Sequence, residues 1–367
     1  MRRNNSIVFA GGGSGGHLLP GVAVARELRQ RDATTHVVFV GTDRPAEQLI
    51  AAIDEFERVI LPAFPSPLLV RNPVLFGWRF GQAVVRARRL LRDSAPQVVV
   101  GLGGFASVAV ARAATGLGIP VVLLEQNIVS GRANRWLCRK AAAVCTAFEH
   151  TSRSLPGSVR CIFTGNPVRQ DIGGLASGFC DQPESGPASP PELLIMGGSQ
   201  GADWLNRTVV DSLATRSVAL SGWRILHQSG AAHLESTRAE YSRLGIEACV
   251  QPFFDDVTDM YRRTTLVVCR AGGTTLAELA CAGIPAILVP HPHSIRDHQR
   301  LNARHFSQLG AAVTVEQTAE DRNPLTEPLR RLLSDPAERR RLKNGMRKLA
   351  RPNATAQVAD VIGQYMD

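Results

Sequence analysis

The chain has 367 residues, 44% of them apolar and 20% charged, with a net charge of +10 and seven cysteines. That length predicts two domains of ordinary size, and the composition is that of a soluble globular protein with a real core. The odd number of cysteines, with no Cys-x-x-Cys among them, argues against a disulfide framework or a zinc site and for reduced, mostly buried thiols. The basic excess suits an anionic partner without choosing among nucleic acid, an acidic membrane and phosphorylated substrates.

In chain order, Ser6–Ala10 reads as a buried strand; its apolar run is too short for a signal-peptide core. The glycine turn GGGSGG, Gly11–Gly16, follows, then His17 and a helical pattern over Val22–Arg31. Strands are predicted at His36–Val40, Gln97–Val100 and Val121–Leu124, with a helix over Val84–Leu91 between them. The weakly polar stretch Val98–Ala111 stops at Arg112, short of the roughly 20 apolar residues a spanning helix needs. Gly173–Pro191, GGLASGFCDQPESGPASPP, reads as a linker or irregular connection. Beyond it come strands at Leu193–Met196, Leu266–Cys269 and Ala286–Val289, and a helix over Thr274–Ala282. Asp335–Asp367 is helical and basic at its start. Each half begins with a strand running into a glycine turn, FAGGGSGG and then LIMGGSQGA. The expected fold is α/β: two Rossmann-like, doubly wound parallel-sheet domains facing across a cleft.

Gly11, Gly13 and Gly16 satisfy G-x-G-x-x-G between a strand and a helix, so backbone N–H groups face an anion there. Asp43 stands where the ribose acid of a dinucleotide site would sit, but no hydride-transfer constellation accompanies it. Two further turns, Gly197–Gly201 and Gly272-Gly273, have the same setting. In the latter, Thr274 or Thr275 is expected to cap the helix, and Glu278 one turn on can reach a sugar hydroxyl or stand as a solvated acid. Three anion-ready turns on two domains fit a nucleotide diphosphate on one and a second phosphorylated substrate on the other. His291, His293 and His298 lack the acid or cysteine pattern of a metal site, and no Asp-x-Asp pair is present, so no metal is expected.

The segments GGGSGGHLLPGVAVA, LEQN (Leu124–Asn127), TGNPVR (Thr164–Arg169), GGSQGA (Gly197–Ala202), CRAGGTTLAELACAGIP (Cys269–Pro285) and HQRLNA (His298–Ala303) occur in this order. The ordered set resembles the MurG family of bacterial transferases, from Ile7 to about Phe306. The resemblance implies the GT-B fold: an acceptor and membrane-facing domain over residues 1–165 and a UDP-sugar-binding domain over 166–344. It also implies a C-terminal helix, about 345–367, returning to the first domain. The implied reaction moves N-acetylglucosamine from UDP-N-acetylglucosamine to an undecaprenyl-linked muramyl-pentapeptide. UDP-N-acetylglucosamine is then a substrate, and no cofactor is implied.

Position by position, Ser14, Gly15, Gly16 and Asn127 resemble donor-sugar and acceptor-side contacts. Arg169 and Ser199 resemble ligands of the UDP diphosphate, Thr274 lies in the third glycine turn of the donor site, and the main chain of Phe254 resembles the uracil contact. Glu278 resembles the ribose-binding acid and Gln299 a donor-sugar contact. The second acceptor loop usually reads Gly-Gly-aromatic-x-Ser-x-Pro; here Gly103, Gly104 and Ser107 are present, but Ala109 replaces the proline. A guanidinium such as Arg169 suits a diphosphate because it is a fixed fork of donors.

Inverting transfer needs a base for the acceptor 4-hydroxyl and positive groups opposite the departing UDP. His17, beside the glycine turn, and Glu125 are the two candidate bases, and a histidine that merely shapes the loop stands beside them as an equal reading. Leu68–Arg92 mixes Phe76, Trp78 and Phe80 with Arg79 and five further arginines and no acid, the make-up of an interfacial segment on an anionic leaflet. The expected location is the cytoplasmic face of the cell membrane, peripheral, in the company of wall-synthesis and division proteins. Two alternatives stay open: a sibling transferase acting on another lipid such as diacylglycerol, and a catalytically silent scaffold. Nucleic-acid binding rests on charge alone.

Overall fold

The structure is a computed structural model that describes residues 5–12, 15–42, 55–61, 72–180, 190–198, 201–318 and 323–366, the side chains at 105, 179 and 180 aside. Two compact units result, Met1–Gln170 with Asn353–Asp367, and Asp171–Pro352.

The first unit is built in the order β1 (Ser6–Gly11), α1 (Gly15–Arg31), β2 (His36–Gly41), β3 (Glu57–Ile60), α2 (Pro73–Ser94), β4 (Val98–Gly103), α3 (Gly104–Thr115), β5 (Val121–Glu125), α4 (Arg132–Leu137), β6 (Ala143–Thr146) and β7 (Cys161–Phe163). The seven strands form one sheet in the order β3-β2-β1-β4-β5-β6-β7, parallel throughout. Central strands such as Val98–Val100 and Val121–Leu124 are buried on both faces, which is why they are uninterrupted Val/Leu runs rather than alternating ones. One face packs on α1, the other on α2 and α3.

The second unit runs α5 (Gln170–Leu175), β8 (Glu192–Met196), α6 (Asp203–Leu213), β9 (Arg224–Gln228), α7 (Leu234–Arg243), β10 (Cys249–Gln251), α8 (Val257–Arg263), β11 (Thr264–Cys269), α9 (Gly273–Ala282), β12 (Ala286–Leu288), α10 (His298–Gln308), β13 (Ala312–Thr314), α11 (Thr326–Ser334) and α12 (Pro336–Leu349). Its six parallel strands are ordered β10-β9-β8-β11-β12-β13. The last helix, α13 (Ala354–Gly363), belongs to the first unit and buries Val358, Val361 and Ile362 in the α1 face of that sheet. Arg31 pairs with Asp360 at 2.6 Å, and Arg160 donates to the Tyr365 hydroxyl at 2.8 Å.

The α/β reading with two Rossmann-like parallel sheets holds. In each sheet the strand order reverses beside the unit's first strand, at β1/β4 and at β8/β11, and ligands of such sheets bind beyond the carboxyl ends at that point.

Two local expectations change. Gly173–Pro191 is not linker throughout: Gln170–Leu175 is helical with Ile172 fully buried, a 3-10 turn covers Ala176–Cys180, and residues 181–189 lie outside the described set. The helix predicted over Val84–Leu91 begins eleven residues earlier. Asn72 caps it by accepting from the Leu75 N–H at 2.9 Å, and Pro73 starts it. The expectation of reduced, mostly buried thiols holds among the described side chains: the six cysteines there are free, with Cys138, Cys145, Cys269 and Cys281 buried, Cys161 half-buried and Cys249 exposed.

Candidate active site

Beyond the β1 end, chain register sets the first cluster. Gly11 aligns with Gly103 across the β1–β4 pair, so the turn before α1 and the turn before α3 lie side by side. Gly103 and Gly104 both have positive φ, +101° and +76°. A Cβ on Gly104 would meet the Gly12 carbonyl at 2.6 Å, and one on Gly103 would lie 3.0 Å from His17 Nδ1 and 3.1 Å from Cε1. The imidazole therefore sits close against Gly103, and a side chain there would crowd it.

His17 is half-buried in the first turn of α1. Its Nδ1 is 3.1 Å from Gln126 Oε1, and Gln126 Nε2 donates to the Leu102 carbonyl at 3.2 Å. Burial lowers the His17 pKa below the ordinary 6.5, opposed by Gln126 and the Leu102 carbonyl. The ring is therefore neutral at pH 7, the form a base needs.

Glu125, at the end of β5, is buried and faces the other way. Its Oε1 accepts from the Asn127 N–H at 3.1 Å and Asn127 Nδ2 at 3.4 Å; its Oε2 accepts from the Gly131 N–H at 2.8 Å and Asn134 Nδ2 at 2.9 Å. Burial pushes its carboxyl above the ordinary value while these donors pull it back. Four bonds commit the carboxylate to shaping the 127–134 loop. Gly15 and Gly16 open α1, and Ser14 lies outside the described residues.

Ser107 corrects a sequence reading. It is no loop residue but lies inside α3, fully buried, donating to the Gly104 carbonyl at 2.7 Å. With alanine at position 109 in place of proline, nothing interrupts the helix, and only Gly103 and Gly104 are left as the turn.

The second cluster lies at the β8/β11 switch point. The N-cap of α9 is Gly272, with no side-chain cap, so neither threonine caps it as expected; Thr274 is buried one residue inside the helix start. Glu278, also buried, accepts from the Tyr261 hydroxyl at 3.1 Å. Asn302, fully buried on α10, donates to the Ala271 carbonyl at 3.1 Å and ties the Gly272 turn down. Gln299 Oε1 accepts from the His291 N–H at 2.9 Å, leaving its Nε2 as donor. His298 Nδ1 is engaged with the Ile295 carbonyl at 2.9 Å. Phe254 lies half-buried between β10 and α8; Ser199 and Asp43 lie outside the described residues.

Arg169 is half-buried at the end of the first unit, and its Nε is buried without a hydrogen-bond partner among the described residues.

Gln126, Tyr261 and Asn302 escape a sequence reading although two of them fall inside quoted motifs. Their only advance signal is adjacency: Gln126 follows Glu125, and Asn302 follows Gln299 by about one turn.

The Glycosyltransferase family 28 N-terminal domain matches residues 7–146, and the Glycosyltransferase family 28 C-terminal domain matches residues 192–362. The chain is similar to the UDP-N-acetylglucosamine--N-acetylmuramyl-(pentapeptide) pyrophosphoryl-undecaprenol N-acetylglucosamine transferase of Acidithiobacillus ferrooxidans, 39% identical over 370 residues, 97% of this chain and 96% of the relative. It is 36% identical over 372 residues to the protein of the same description from Stutzerimonas stutzeri, 97% of each chain. Among solved structures, Acinetobacter baumannii MurG superposes with a TM-score of 0.76 at 28% identity, over 98% of this chain and 99% of that one.

Proposed function

The chain belongs to glycosyltransferase family 28, and on that premise we propose that it transfers N-acetylglucosamine from UDP-N-acetylglucosamine to the muramyl 4-hydroxyl of undecaprenyl-pyrophosphoryl-MurNAc-pentapeptide. The observation that carries this is near-full-length similarity, at 36–39% identity, to transferases described by that reaction.

The mechanism we derive is a single displacement. The acceptor hydroxyl oxygen forms a bond to the anomeric carbon as the bond to the UDP oxygen breaks, with inversion. His17 takes the hydroxyl proton on the ring nitrogen not held by Gln126. Glu125 is spent on its loop and serves as scaffold. The neutral imidazole is suited to the step because proton uptake costs least when it coincides with attack. Charge growing on the diphosphate is opposed by the N-terminus of α9 at Gly272 and by the Gly197 turn that precedes α6; the family resemblance gives Ser199 and Arg169 the same ligand. Glu278, oriented by Tyr261, accepts from the ribose; Gln299 Nε2 donates to the sugar; and the Phe254 main chain holds uracil. Gly15, Gly16 and Asn127 serve the acceptor side. No metal enters this scheme.

Among the described residues no helix is long and apolar enough to cross a membrane. We propose peripheral attachment to an anionic bilayer through α2. Val74 is 82% exposed and Trp78 61%, on one face one turn apart. Phe76 and Phe80 stack half-buried beneath, and Phe80 touches Trp136, itself 61% exposed. Arg135, Trp136, Arg139 and Arg153 line an adjoining pocket of about 490 Å³. Apolar rings beside arginines are what an anionic interface takes up.

The test is UDP release from UDP-N-acetylglucosamine with the lipid-linked muramyl-pentapeptide as acceptor. Release with that acceptor and none with diacylglycerol is expected; the reverse pattern overturns the assignment.

A further inference from the structure

Gln126 enters the transfer described above only as the group that holds one His17 nitrogen, yet it is buried and uses both ends of its carboxamide. Its orientation is not ambiguous. The Leu102 carbonyl can only accept, so the group facing it at 3.2 Å is the NH2, and the atom facing His17 at 3.1 Å is the oxygen. An oxygen there demands a donor, which makes Nδ1 the protonated nitrogen of the neutral ring. Nδ1 is also the ring atom nearest Gly103, 3.0 Å from where a Cβ on that residue would stand. Nε2 is then left with its lone pair, the side-chain bond of the ring being made at Nδ1. Free neutral imidazole prefers the opposite arrangement, with the proton on Nε2.

We propose that Gln126 is a positioning residue that holds His17 as the Nδ1–H tautomer and so presents Nε2 as the base, an inference that rests on His17 being the base. Three elements pack around the ring: its own helix, the Leu102–Gly103 backbone and the end of β5. The charged residues of α1 begin at Arg26, more than two turns along. From β5 comes Glu125, whose two oxygens are turned to the 127–134 loop. The neutral carboxamide is thus the side chain that sets both tautomer and basicity, where a carboxylate would raise the pKa and keep more of the ring protonated.

The experiment measures UDP release against pH in the full chain for wild type, Gln126→Met, Gln126→Glu and His17→Ala, together with 15N spectra of histidine-labelled protein. Gln126→Met is expected to lower kcat by about 100-fold, the low end of what a base supplies, with KM for UDP-N-acetylglucosamine unchanged. In its spectrum the His17 proton moves to Nε2. Gln126→Glu restores the acceptor and loses the donor to Leu102. It is expected to recover most turnover while moving the acidic limb of kcat/KM to higher pH. A purely structural role predicts the opposite ranking, because that variant breaks the Leu102 bond. The inference is overturned if wild-type His17 carries its proton on Nε2, or if Gln126→Met keeps the wild-type kcat and pH profile. His17→Ala with full turnover is a separate result that removes the base assignment itself.

Discussion

His17 in the first unit and His227 in the second are both held by a carboxamide, with opposite outcomes. His227, fully buried on β9, has Nε2 3.1 Å from Asn206 Oδ1 and Nδ1 3.0 Å from the Tyr241 hydroxyl. Asn206 Nδ2 donates to the Ser229 carbonyl at 3.0 Å, so its oxygen receives the His227 Nε2–H and Tyr241 donates to Nδ1. Both nitrogens are consumed, and burial depresses the pKa to about 3. His17 has one nitrogen held and stands half-exposed at a sheet's switch point. The difference teaches that a braced histidine with both nitrogens filled is a structural group, whereas one with a nitrogen left open keeps the lone pair that chemistry needs. The His227 network also braces the Gly197 turn, since Asn206 lies against Gly197, where a Cβ would come within 3.3 Å of its Oδ1.

The largest expected effect separates the two histidines. His17→Ala should lower kcat by about 10²- to 10⁴-fold while costing only the stability of one stranded acceptor, the buried Gln126 Oε1, about 1 kcal/mol; a loss of stability without the loss of kcat would make it the same kind of residue as His227. Next comes Asn206→Ala, which strands the Ser229 carbonyl and the His227 Nε2–H. Two unpaired buried groups should cost about 3 kcal/mol, read as a lower urea midpoint, with weaker UDP-N-acetylglucosamine binding as the Gly197 turn loosens. The same network makes the second unit acid-sensitive. His227 binds its proton less readily folded than unfolded, so its contribution is complete above the ordinary 6.5 and is lost as pH falls toward about 3. An unfolding free energy flat between pH 6.5 and 4 in wild type, against a His227→Phe control, would count against this. The smallest effect belongs to Tyr261→Phe. It removes one hydrogen bond to Glu278, worth about 1 kcal/mol, and should raise KM for the donor several-fold with kcat intact.

The sheets were legible because buried parallel strands are continuous apolar runs; β1, β2, β4, β5, β8, β11 and β12 all fall on such stretches. Edge strands such as β3, with Glu57 and Ile60 exposed, and three-residue β10 lack that signature. His17 and Glu278 could be named from the turns they follow. Their partners could not, because Gln126 meets His17 through the register of β1, β4 and β5, 109 residues along the chain, and Tyr261 reaches Glu278 only once α8 and α9 flank β11. Ser107 was misread for a local reason: its hydroxyl satisfies a carbonyl of its own helix, which no motif encodes.

The most direct measurement is single-turnover transfer of labelled N-acetylglucosamine to the lipid-linked muramyl-pentapeptide by the wild-type chain as a function of pH. A neutral base with its pKa held below the ordinary 6.5 predicts a rate that is level at and above neutrality and falls along an acidic limb centred below that value. A rate independent of pH across this range, or a limb centred above 6.5, would contradict the assignment of His17.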